Sequence, residues 1–128
     1  MRRIRVIEAA MVLIAARVTL AVAGFARVRR MLTRERGDIP RTDDAARARL
    51  LARAIVSAAN RLPLRTTCLD RALALWWLLG AHGIGGAIRI GVRGGEKIEA
   101  HAWVEHAGEV LYDDEAKNYA AFDDPVLQ

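Results

Sequence analysis

The apolar positions of the first third of the chain fall at helical spacing. Ile4, Ile7, Met11, Ile14, Val18, Ala21, Phe25, Val28 and Leu32 recur at intervals of three and four. That stripe predicts one amphipathic helix over residues 4–32, turned inward onto its own domain. A spanning helix needs roughly 18 or more uninterrupted apolar residues. Glu8 and Arg17 interrupt this run, so a membrane is not the expected partner. Arg2, Arg3 and Arg5 look like the start of a signal peptide, but the pattern continues through Arg17 to the Arg27–Arg30 cluster.

The segment RGDIPRTDD, Arg36–Asp44, breaks the periodicity with a turn at Pro40. Thr42 or Asp43 then caps a second helix, whose apolar face is Leu50, Leu51, Ala54, Ile55 and Ala58. NRLPLRT, Asn60–Thr66, ends it. A third helix begins at TCLD, with Thr67 as N-cap and Asp70 completing a capping box in which Asp replaces the usual Glu. Its buried face is Leu69, Ala72, Leu73, Trp76 and Leu79, and Gly83 stops it as a C′ residue. Beyond that the period changes from 3.6 to 2. Ala87–Arg93, Ile98–Glu105 and Glu109–Asp113 read as strands, with Gly94-Gly95 turning the chain between the first two. The tail, Glu115–Gln128, is acidic.

Three helices followed by short strands predict an α+β fold of one domain. Residues 1–36 form its basic N-terminal helix and residues 37–128 its core. The 128 residues are 53% hydrophobic and 27% charged, enough apolar material to bury a core. The net charge is +5. Residues 1–36 hold nine Arg against Glu8 and Glu35, so the basicity belongs to the N-terminal segment. No aromatic-rich basic strand or nucleic-acid motif accompanies it, and nucleic acid is not an expected partner. A single cysteine, Cys68, excludes an internal disulfide and a multi-thiolate metal site, and fits a reducing cytoplasm.

That cysteine is also the candidate nucleophile. Behind a Thr67 cap it is the first residue of a helix, beside unpaired N–H groups and the positive end of the helix dipole. Its own backbone N–H is then a candidate oxyanion donor. In the strand EAHAWVEH the even positions are apolar, so His101 and Trp103 share the opposite face. Trp103 is a candidate wall of a substrate cleft. A three-residue loop His106-Ala107-Gly108 would pair Glu105 with Glu109 and set His101 opposite Asp113. A two-residue loop would set it opposite Asp114. Cys68, His101 and Asp113 are then the parts of a Cys-His-Asp site. His101 and His106 point to opposite faces, so no metal site is expected, and no Gly-rich phosphate loop appears.

The stretches CLDRALALWWLLGAHGI, IRIGVR and EAHAWVEHAGEVLYDD resemble the stand-alone transglutaminase-like leader peptidase of lasso-peptide biosynthesis. The resemblance covers roughly residues 60–124. It implies a transglutaminase-like, papain-like fold with the cysteine-bearing helix packed on a small antiparallel sheet. It implies a cysteine peptidase without a cofactor, its triad falling on Cys68, His101 and Asp113. It implies a precursor peptide as substrate and a separate small leader-recognition protein acting in trans. An ATP-dependent macrolactam-forming enzyme acts in the same pathway. Two other readings use the same residues: acyl transfer to an amine, or a non-catalytic module that docks a peptide or membrane.

Overall fold

The computed structural model describes residues 2–24, 43–63, 66–94, 99–111 and 120–121. Among the described residues three helices come first: α1, Arg2–Ala23, α2, Asp44–Arg61, and α3, Cys68–Ala81. Four strands follow: β1, Ala87–Arg93, β2, Glu99–His106, β3, Glu109–Val110, and β4, Ala120–Ala121. They form one antiparallel sheet in the order β3-β2-β1-β4. This is an α+β fold, as the change of period predicts. The short β4 lies in the acidic tail, where no alternation announces a strand.

α3 is the central element. It packs against α1, α2, β2 and β1, and Leu73, Ala74, Trp76, Leu78 and Leu79 are all buried. Burial on several sides exceeds the single predicted face, because this helix lies between the other two helices and the sheet. Trp76 fills the centre, and its indole N–H donates to the Gly86 carbonyl at 3.1 Å. Gly83, at φ +72°, ends the helix in the left-handed conformation expected of a C′ residue. The His82 ring lies 3.0 Å from Glu8 of α1. The last carbonyls of the helix are met by the N–H groups of His82, Gly83 and Ile84, and Arg47 donates to the His82 carbonyl at 3.2 Å.

α1 stops nine residues short of Leu32: Gly24 takes φ +77° after Ala23, and residues 25–42 lie outside the described part. Its orientation is also opposite to the predicted one. Ala9, Leu13 and Ala16 are fully buried, whereas Ile7, Met11, Val18 and Val22 are 60, 67, 55 and 81% exposed. The two stripes are offset by two residues, about 200° around a helix. The helix is apolar on both sides, so periodicity could not choose between them. The small side chains Ala9 and Ala16 let α1 approach α2 and α3 closely.

α2 begins after Asp43, which holds the N-cap position without a side-chain cap bond, and Thr42 lies outside the described residues. Leu51, Ala54, Ile55 and Ala58 are buried as expected, but Leu50 is exposed and Ala52 takes its place.

The β2–β3 turn corrects the loop length. Glu105 pairs with Val110 and His106 with Glu109, leaving a two-residue loop of Ala107 and Gly108. Both have positive φ, +50° and +81°, the signature of a type I′ turn. That turn matches the right-handed twist of the flanking strands, so Gly108 is selected at its second position rather than at the end of a longer loop. Outside the loop, Arg49 grips Glu109 with two bonds of 2.8 and 3.2 Å, and the His106 ring lies 2.6 Å from the Gly85 carbonyl. Bonding to Arg49 holds the Glu109 carboxyl below its usual range. What this pair contributes is therefore present above the ordinary carboxylate range and is lost as pH falls through the lowered value.

Alanine is a poor residue for a left-handed position. Ala107→Asn is expected to raise stability by about 0.5–1 kcal/mol, read as a higher urea midpoint at unchanged slope.

Candidate active site

The capping box is formed as the sequence requires. The Thr67 hydroxyl accepts from the Asp70 N–H at 3.1 Å, and the Asp70 carboxylate accepts from the Thr67 N–H at 2.9 Å. This fixes Cys68 as the first residue of α3, half-buried against the core. The box occupies the N–H groups of Thr67 and Asp70. Among the described residues, no bond takes the N–H of Cys68. A donor and a sulfur thus stand together at the positive end of the helix.

Asp70 does more than the sequence motif announces. Its side chain is buried, and the same oxygen that receives Thr67 also receives Arg17 of α1 at 3.1 Å. Arg17 sits among apolar residues in α1, and this bond explains its place there. The link fastens α1 to the turn that carries Cys68. Asp70→Ala removes the carboxylate arm of the capping box and leaves two donors, the Thr67 N–H and Arg17, unmet. Because Arg17 can turn to solvent, the expected loss is about 2 kcal/mol rather than that of a fully buried pair. A fall in the urea midpoint tests this.

His101 stands near the start of β2, an inner strand, directly across from Gly91 of β1. Opposed residues share a face. Gly91 itself presents no side chain to the imidazole. Ala102 and Val104 belong to the core, with Val104 close to Leu79 of α3 at Gly86. His101, Trp103 and Glu105 alternate with them onto the other face. Trp103 is buried apart from the main cluster. Its ring stacks with His101 at 6.0 Å between centroids and 27° between planes. Its N–H donates to Glu105 at 2.9 Å, and Glu105 lies 3.5 Å from Arg89. The imidazole is therefore buttressed by an indole whose own rotation is locked.

A cleft opens where α2, α3 and β2 converge. Ile55 and Val56 line one side, Arg71 and Ala72 the second, and Trp103 and Leu111 the third. Arg71 and Ala72 are one turn beyond Cys68. The cleft thus joins the neighbour of the histidine to the first turns of the cysteine helix. Trp103 forms part of this lining. Among the described residues, no hydrogen bond joins Cys68 to His101.

Asp113 and Asp114 lie outside the described residues. The argument that selected Asp113 by loop length falls with the three-residue loop. The last described rung is the Leu111 N–H to the Val104 carbonyl at 2.9 Å, and β3 itself ends at Val110. A ladder continued unbroken from this turn would bring Asp114, not Asp113, opposite His101.

A cysteine-headed helix buried between two helices and a small antiparallel sheet is a transglutaminase-like arrangement. A model of the transglutaminase-like superfamily matches residues 10–125, nearly the whole chain, and the protein belongs to that superfamily, which includes cysteine peptidases. No curated protein matches the chain, and no solved structure does.

Proposed function

We propose that this protein is a cysteine peptidase that removes the leader from a ribosomally made lasso precursor. The observation that carries the reading is Cys68 at the capped start of α3, in a chain of the transglutaminase-like superfamily. The Cys68 thiolate attacks the carbonyl at the leader–core junction. The backbone N–H of Cys68 receives the oxyanion. The carbon–nitrogen bond breaks as His101 delivers a proton to the leaving amine, which frees the core peptide and leaves the leader as a thioester. Water, deprotonated by His101, then hydrolyses the thioester. A carboxylate orients the imidazole and stabilises its charged form. The resemblance assigns that role to Asp113. The precursor arrives on a small recognition protein in trans, and an ATP-dependent enzyme closes the ring, all in the cytoplasm.

A direct test is the alkylation rate of Cys68 at neutral pH in the wild type and in His101→Ala. Pairing of thiol and imidazole predicts about a tenfold or larger loss of rate in the variant. Equal rates, with precursor and recognition protein present, would remove the pairing. Supplying a primary amine during precursor processing separates hydrolysis from amide formation. The free carboxylate is the expected product.

A further inference from the structure

The outer face of α1 is the feature that the peptidase reading leaves without a use. Ile7, Met11, Ile14, Val18 and Val22 form a continuous exposed stripe at helical spacing. From Ile7 to Val22 it runs about 22 Å at the rise of an α-helix. A solvated helix normally turns charges outward here. An exposed apolar strip of this size marks an interaction surface.

Two observations say what covers it. The first is charge. The stripe begins beside Arg2, Arg3 and Arg5, in the first turn of α1. An aliphatic strip that starts from a run of arginines complements a surface that is negative at its boundary and apolar beneath it. The strip also holds no aromatic residue, whereas protein–protein interface cores are enriched in them. The second is attachment. Residues Val6–Ala23 have a mean hydropathy of 2.1, long and apolar enough to cross a bilayer. Yet the opposite side of the same helix is committed to the domain through Ala9, Leu13 and Ala16, through Arg17 to Asp70, and through Glu8 to His82. Crossing would strip those contacts and draw Arg17 into hydrocarbon. Lying in the interface plane keeps them all.

We propose that α1 seats the folded protein on an anionic lipid bilayer, with the Ile7–Val22 stripe in the acyl boundary and the basic first turn of the helix toward the headgroups. The domain itself serves as the polar face of the amphipathic helix.

The test is co-sedimentation of the full chain with phosphatidylcholine vesicles, with and without phosphatidylglycerol. Met11→Glu and Val18→Glu alter exposed side chains, and unchanged circular dichroism verifies their folds. Leu50→Glu makes the same change on the exposed side of α2 and is the control. Binding should require phosphatidylglycerol, weaken with salt and fall about tenfold or more in each α1 variant while Leu50→Glu keeps it. Failure to sediment with either vesicle overturns the proposal. So does binding that the α1 variants retain. A concentration-dependent dimer abolished by Met11→Glu, without vesicle binding, would assign the stripe to a second copy and overturn it too.

Discussion

Cys68→Ala is expected to abolish precursor cleavage, by about 10⁴-fold or more, while leaving the fold intact. The separation of the two effects follows from where Cys68 sits. Its side chain is half-buried at the edge of the core, and the residues that hold the turn are Thr67 and Asp70. Removing one sulfur costs about 1 kcal/mol or less of packing, and the capping box persists. Catalysis loses its covalent step entirely, since no other thiol exists in the chain. The comparison with Asp70→Ala is informative. That variant should lower stability and activity together, because it loosens the turn that presents the sulfur. Cleavage that survives Cys68→Ala ends the peptidase proposal.

Asp113→Asn is expected to slow cleavage by about 10³–10⁴-fold, and Asp114→Asn by little. An amide at the orienting position cannot stabilise the charged imidazole and favours the wrong tautomer. The expectation rests on the family resemblance and competes with the turn. Ala107-Gly108 sets a register that, carried on without interruption, favours Asp114. That register is anchored only as far as Leu111. A large effect from Asp114→Asn and a small one from Asp113→Asn would show that the ladder continues unbroken. Equal, small effects would mean that another group orients His101.

The start of α3 was fully legible in the sequence. Thr67, Asp70 and Gly83 act on backbone groups within a few residues, so local chemistry decides them. The strands were legible for the same reason over Ala87–Arg93 and as far as Glu105, through an alternation that any sheet would respect. Membership in the transglutaminase-like superfamily could also be expected from the stretches around Cys68 and His101.

Tertiary structure decided what local pattern leaves degenerate. α1 carries apolar residues on two opposite faces, and only its fit against α2 and α3 chose the side with Ala9 and Ala16. Close packing there favours small side chains, so the larger ones were left facing out. Arg17 read as a flaw in an apolar run until Asp70 came to meet it from more than fifty residues away. β4 exists only because β1 offers it an open edge. The hairpin turned on a single residue, His106 in the strand rather than in the loop, and the twist of the paired strands settled it. Sequence thus determined the helices, the β1–β2 pair and the place of Cys68 at the head of α3, through interactions short enough to be written locally. Their facing, their register and the free apolar surface of α1 depended on packing between distant segments, which no local pattern encodes.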